Sequence, residues 1–297
     1  MGRFLRHGSR IAAAYAITGT VVSGTVYAGD PPDISKETIR LDGTTVTFDV
    51  VTIPPGTIDI DGTTHAIDSL AVSVTEVTWD LYDVYLFALD VPESGGESDA
   101  VSRPSKPYVP PDRGYGHAGY PAMGMTRYAA VEFCVWLSKK TGDTYRLPTR
   151  AEWIYLSEAR NPSRRHDDRS GSEETMAATT ASAWTEENAD YTTRPVGEKT
   201  PNAWGLRDTL GNVAEWVAPK PGQRPKDGPL AMGGSFLDPA ARCTSRDGTL
   251  QEPYWNASDP QIPKSVWWLA DCDFVGFRVV RETGDADSTS GTKEGER

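Results

Sequence analysis

The amino-acid sequence predicts an α+β domain that is rich in loops and has little regular secondary structure. Three observations lead there. Apolar and polar residues alternate in short stretches between residues 39 and 60, as in strands exposed on one face. Three later segments, opening at Thr78, Thr126 and Thr149, carry helical periodicity behind a residue suited to capping. The remainder of the 297-residue chain, with 28 glycines and 22 prolines, follows neither period, yet nine tryptophans give it aromatic bulk to pack around.

The first 28 residues differ from the rest. Arg3, Arg6 and Arg10 precede an apolar run from Ile11 that closes on Val26-Tyr27-Ala28, a small-residue cleavage pattern. This reads as a secretory signal peptide cleaved after Ala28. The alternative is an uncleaved membrane anchor, since the run approaches spanning length, but Thr18, Gly19, Thr20, Ser23 and Gly24 dilute it. The mature protein is therefore expected to be secreted or periplasmic and free of the membrane. Residues 29–38 form a linker, and the tail at 283–297, made of Gly, Asp, Ser, Thr, Lys and Glu, is expected to be disordered.

Within the domain, Ile39, Leu41, Val46, Phe48 and Val50 alternate with polar residues between turns at Asp42-Gly43 and Pro54-Pro55-Gly56. Val72, Val74 and Val77 continue as a strand up to Thr78, where Trp79, Leu81, Tyr82, Val84, Tyr85 and Leu86 suit a helix. Residues 92–121 lack periodicity and read as a long surface loop that either wraps the core or recognises a partner. The next helix, behind Thr126, places Ala130, Phe133, Trp136 and Leu137 on one face and stops at Gly142. Thr149 and Glu152 match a capping box for the third helix. Residues 160–182 are charged, then small and polar, and read as a second exposed loop.

Charge and cysteine content narrow the functions. Loss of the three signal-peptide arginines takes the net charge from −12 to −15, which disfavours nucleic acid as a partner. Cys134, inside a helical segment, reads as a buried inert thiol; Cys243 and Cys272 could pair in an oxidising compartment. His65, His117 and His166 are scattered without ligand spacing, which argues against a histidine-rich zinc or iron site.

Six short motifs follow one another in order: Thr75-Glu76-Val77-Thr78, Tyr145-Arg146-Leu147-Pro148-Thr149 with Glu152-Trp153, Pro201-Asn202-Ala203-Trp204-Gly205-Leu206, Gly211-Asn212-Val213-Ala214-Glu215-Trp216, Gly233-Gly234-Ser235-Phe236 and Val275-Gly276-Phe277-Arg278. In this order and across residues 46–281 they resemble the formylglycine-generating enzymes, also called sulfatase-modifying factors. The resemblance implies a single C-type-lectin-like domain over residues 39–282, and the mature protein is expected to be a monomer. It further implies a calcium site, with side-chain oxygens from Asp208 and Glu215 and backbone carbonyls from Gly211 and Val213. A second calcium site would fall at Asn188, Ala189 and Asp190.

The same resemblance makes Gly233 to Cys243 the catalytic strand. Family members oxidise a cysteine of a sulfatase to formylglycine, using two cysteines that bind copper(I) and a serine, here Ser235, that helps hold oxygen or substrate. Cys243 occupies the second cysteine position and Asp238 the first. Thiolates select copper(I), whereas a carboxylate suits calcium or magnesium. Arg242 and Arg246 could lower the pKa of Cys243 and keep it as thiolate. Two functions stay open: an exported oxidase of cysteine in a sulfatase-type protein or peptide, and a non-catalytic, calcium-stabilised module of the same fold that binds a protein or glycan.

Overall fold

The C-terminal run from Val275 to Glu282 belongs to two sheets at once, and the architecture is easiest to follow from there. Val275–Gly276 (β10) pairs in parallel with Ala214–Trp216 (β7), while Val280–Glu282 (β11) inserts antiparallel between Leu70–Ser73 (β5) and Tyr145–Arg146 (β6). The first sheet has five strands in the order β1-β2-β5-β11-β6, where β1 is Lys36–Arg40 and β2 is Thr47–Ile53. The second runs β10-β7-β8-β9, with Leu230–Met232 as β8 and Gly248–Leu250 as β9. Gly56–Ile60 (β3) and Thr63–Ile67 (β4) form a separate hairpin. The computed structural model describes residues 34–91, 103–104, 107, 110–159, 173–219 and 228–283. The signal peptide, half of the linker and nearly all of the C-terminal tail lie outside them.

The three helices expected from the sequence form where their caps place them. Thr78 precedes α1 (Trp79–Leu86) and accepts the Leu81 N–H. Thr126 does the same for α2 (Arg127–Thr141) through the Ala129 N–H, and Gly142 ends that helix at φ 84°, a left-handed conformation that costs glycine little. Before α3 (Arg150–Glu158), Thr149 and Glu152 exchange both hydrogen bonds of a capping box. Glu152 is also held by Arg146 through two contacts of 2.7 and 2.8 Å, so the cap ties α3 to β6.

The reading of 160–182 as loop is overturned over its second half, because Glu173–Ser182 forms a helix, α4. Nothing in its small, polar sequence builds an apolar stripe. Its terminal carbonyls are instead satisfied from a distance: Asn188 Nδ2 and Lys199 Nζ both donate to Thr180 O, at 2.9 and 2.8 Å. In the stretch read as a loop from 92 to 121, the described residues are irregular and pack onto the core. Arg103 donates to Asp90 and lies 5.7 Å from the ring centres of both Tyr85 and Trp136.

The largest buried cluster gathers α1 and α2 around Tyr82, Tyr85, Phe133 and Phe277. A second surrounds Trp153 and Trp204 and contains Cys243. Aromatic rings meet mostly edge to face, as their quadrupoles favour; Phe133 and Phe277, for example, lie 5.3 Å apart at 73°. The result is the α+β, loop-rich domain that the sequence predicts. Among the described residues, no helix is long and apolar enough to cross a membrane.

The capping box gives a direct check on this account. Thr149→Ala removes the acceptor for the Glu152 N–H and is expected to lower stability by about 1 kcal/mol in urea denaturation, with little change in the slope of the transition.

Candidate functional site

Two glycines open the candidate site by turning the chain sharply. Gly233 and Gly234 take φ values of 92° and 69°. A Cβ on Gly234 would lie 2.9 Å from Cys243 Sγ, and one on Gly233 3.0 Å from Thr209 O, so both positions exclude a side chain sterically. The bend is anchored from the neighbouring loop, since Gly211 N donates to Gly233 O at 3.1 Å and Phe236 N to Asn212 O at 2.9 Å.

Beyond the bend the chain is not a strand. Asp238 folds its carboxylate back onto Ser235, where Oδ2 accepts the Ser235 N–H at 2.9 Å and the Ser235 hydroxyl at 2.8 Å. Pro239 then starts a 3-10 turn over Ala240–Arg242 that delivers Cys243. A proline and a self-bonding Asp-Ser pair favour turn over ladder, which is why the strand expected here does not form. The Ala240 N–H at the start of the turn donates to the Glu187 carboxylate.

Cys243 is buried, with Sγ 3.8 Å from Ser235 O and 3.9 Å from Asp238 O. Burial first, and the Asp238 and Glu187 carboxylates next, push its thiol well above the ordinary range, so it is protonated at neutral pH. The expected help from arginines is absent: Arg242 points to solvent, and Arg246 is paired with Glu158 at 2.6 Å. Cys134, Cys243 and Cys272 are all free buried thiols, with Cys243 in one core cluster and the other two in the larger one. The disulfide considered between Cys243 and Cys272 is therefore not formed. Copper(I) does not fit this site either, because the two other described thiols lie in a different part of the core and Asp238 offers only hard oxygen.

Two of the residues expected to hold calcium, Asp208 and Glu215, meet in the core around a different charge. Arg278, fully buried, donates Nε and Nη2 to Glu215 at 2.6 to 2.9 Å, and Trp153 Nε1 donates to Glu215 Oε2 at 2.7 Å. Burial works against the charge of Arg278, but Glu215 outweighs it and holds the guanidinium protonated. Asp208 is turned toward the same place; its Oδ2 accepts the Gly197 N–H at 2.6 Å and its Oδ1 has no hydrogen-bond partner. Burial raises its pKa to about 6, with Glu215 adding to the rise.

Glu76 completes the group, with both carboxylate oxygens buried and unpartnered. Burial, then Asp208 and Glu215, raise its pKa well above the usual carboxylate range. Glu215 does not fit a calcium ion in this arrangement: both of its oxygens serve Arg278, and a cation beside them would face the guanidinium. Gly211 is required sterically, since a Cβ there would meet Trp184 O at 2.2 Å. Val213 packs in the larger core cluster. Among the described residues, no group of three or more His, Cys, Asp or Glu is placed to hold a metal.

At the second expected calcium site a cation of the chain, Arg194, pairs with the exposed Asp190. Arg194 donates to Ala189 O at 3.0 Å and to Asp190 Oδ2 at 2.5 Å, while the Asn188 amide is spent on Thr185, Thr180 and Ala183. Arg278 and Glu76 stand inside two of the sequence motifs, where the resemblance assigns neither a role. The available signal was a charged residue flanked by core residues, Arg278 by Phe277 and Val279, and Glu76 immediately before Val77.

Comparison with known proteins follows the same architecture. The model of the sulfatase-modifying factor enzyme 1-like domain matches residues 35–283. Among solved structures, variable protein 1 of Treponema denticola superposes with a TM-score of 0.58 at 21% identity, covering 83% of this chain and 98% of that one. PvdO from Pseudomonas aeruginosa gives 0.57 at 24% identity, covering 86% and 100%. These likenesses show the fold. A curated relative, serine/threonine-protein kinase pkn1 of Chlamydia pneumoniae, is 35% identical over 101 residues, which is 34% of this chain and 14% of the kinase.

Two measurements test the buried charges. Glu215→Gln leaves Arg278 without its counter-charge and is expected to destabilise the protein by about 3 to 5 kcal/mol in chemical denaturation. Asp208 has a folded pKa near 6 against an ordinary 3.8, so its contribution is favourable below 3.8 and is lost as pH rises through 6. Asp208→Asn is accordingly expected to be more stable than the parent at pH 7, by up to about 3 kcal/mol, with the difference vanishing below pH 4. A chelator is expected to leave both melting temperatures unchanged; a calcium-dependent rise seen only in the parent would restore Asp208 as a ligand.

Proposed function

The chain belongs to the sulfatase-modifying factor enzyme 1-like domain family, and from that premise we propose that it is an exported, non-catalytic recognition module for a protein or peptide. One observation carries this reading. At the position of the first family cysteine, the Asp238 carboxylate is locked onto Ser235, and the remaining thiol of Cys243 is buried and protonated. Copper-dependent oxidation needs two thiolates that reach one ion, and neither condition is met. The bend that carries chemistry in the family is here a self-bonded turn, a rigid base for exposed groups beside it.

Those groups suit recognition. Leu237 and Tyr191 are 39% and 62% exposed, and the Tyr191 hydroxyl bonds Glu186, whose N–H donates to Asp238 O. An aliphatic and an aromatic side chain beside an acid on a fixed backbone form a surface that a peptide can dock against. Export is proposed on the arginines and apolar run before Ala28.

A second reading keeps the activity of the family name, oxidation of a cysteine in a sulfatase-type partner. Family membership and the retained Ser235 favour it. The two readings part in one experiment: incubate the mature protein with copper, dioxygen and a sulfatase-motif peptide, and follow loss of the peptide thiol by mass spectrometry. No conversion is expected for the parent protein, and Asp238→Cys is expected to gain copper(I) binding. Conversion by the parent that disappears in Cys243→Ser would overturn the recognition reading.

A further inference from the structure

His117 is gripped from both sides. Its Nδ1 lies 2.8 Å from Asp112 Oδ2 and its Nε2 lies 2.7 Å from Asp83 Oδ2. The ring stacks on Trp79, with centroids 5.5 Å apart and planes 8° from parallel. An ionised carboxylate only accepts hydrogen bonds, so each nitrogen must donate. A neutral imidazole carries one N–H; imidazolium carries two and alone satisfies both contacts.

The grip joins two parts of the fold. Asp83 and Asp80 belong to α1, whereas Asp112 and His117 belong to the irregular segment 110–121. Asp80 reinforces the junction by accepting the Gly119 N–H at 2.6 Å, and Tyr120 N donates to His117 O at 3.0 Å. The same segment reaches the candidate site through Tyr115, whose ring centre is 5.6 Å from that of Phe236. The Tyr115 hydroxyl donates to Asp273 at 2.9 Å, and its carbonyl accepts from Thr193 Oγ at 2.9 Å.

We propose that residues 110–121 are a proton-operated strap: imidazolium His117 fastens them to α1 and holds Tyr115 against Phe236 beside the Ser235–Asp238 turn, and deprotonation loosens them. Losing one proton leaves a bare ring nitrogen facing a carboxylate oxygen, with two lone pairs where a charge-assisted hydrogen bond had been. The proposal holds whether the turn binds a partner or oxidises one.

The charged groups that face His117 are all acidic: Asp83 from α1 and Asp112 from its own segment, with Asp80 behind Asp83. Burial works against the imidazolium, and Asp83 followed by Asp112 outweigh it, so the His117 pKa is raised above 6.5. Asp83 moves the other way from an ordinary ion-pair partner: burial raises its pKa and His117 only partly offsets that. A raised histidine pKa means stabilisation that is complete below 6.5 and lost as pH rises through the folded value. The strap is therefore fastened around the ordinary histidine value and loosens as pH rises through the raised one.

The test uses the full mature chain with labelled histidine. Nitrogen NMR is expected to show His117 with two ring N–H groups at pH 6.5, assigned by their loss in His117→Gln, and a pKa above that of free histidine. Amide exchange at Gly114, Gly119 and Tyr120, corrected for base catalysis, is expected to lose about tenfold in protection between pH 6 and 9 in the parent and to be flat in His117→Gln. Asp112→Asn removes one carboxylate without touching α1, and is expected to move the loss of protection to lower pH; it serves if His117→Gln fails to fold. A His117 that titrates at or below the free value, or protection that does not change with pH in the parent, would overturn the strap.

Discussion

The fold turns on one buried ion pair. Arg278 sits between β10 and β11, at the point where the C-terminal run leaves one sheet for the other, and Glu215 sits in an inner strand of the second sheet. The guanidinium also donates to Ser73 O at the end of β5 and to Arg207 O and Asp208 O in the loop before β7. Trp153 brings α3 to the same carboxylate. A paired charge in an apolar interior gains little stability over an apolar substitute, but it tolerates only the arrangement that keeps it paired. Here that arrangement fixes how two sheets, a helix and a loop meet.

The candidate site inherits its geometry from this centre. The loop from Arg207 to Val213 is pinned at one end by Arg278 and, at the other, holds the glycine bend through Gly211 and Asn212. Trp153, which bonds Glu215, also lies 3.1 Å from where a Cβ of Gly233 would be. The bend is thus set by the core together with its two glycines. What its own residues decide is the chemistry left on it: Asp238 spends its carboxylate on Ser235, and Cys243 faces backbone carbonyls in an apolar pocket.

Where the family resemblance implied calcium, Arg278 occupies one carboxylate and Arg194 the other candidate group. A tethered guanidinium neutralises one charge without requiring six to eight oxygens, and it binds planar carboxylates two bonds at a time. Glu76 and Asp208 are left with oxygens that no side chain reaches, and their raised pKa values follow from burial beside like charges.

Local signals in the sequence were sufficient wherever one turn of chain decides the outcome. Thr78, Thr126 and Thr149 cap their helices, Gly142 ends one, and the family motifs appear in the order that the fold requires, because capping, left-handed turns and apolar period are properties of neighbouring residues. The helix Glu173–Ser182 was hidden because distant side chains complete it, and the turn at Asp238 because a carboxylate chose a nearby serine over a metal or a ladder. The roles of Glu215, Asp208 and Cys243 were decided only by tertiary structure. Charge pairing and burial depend on which residues arrive from 60 or more positions away, as Arg278 does for Glu215 across 63 residues, and no local pattern records that meeting.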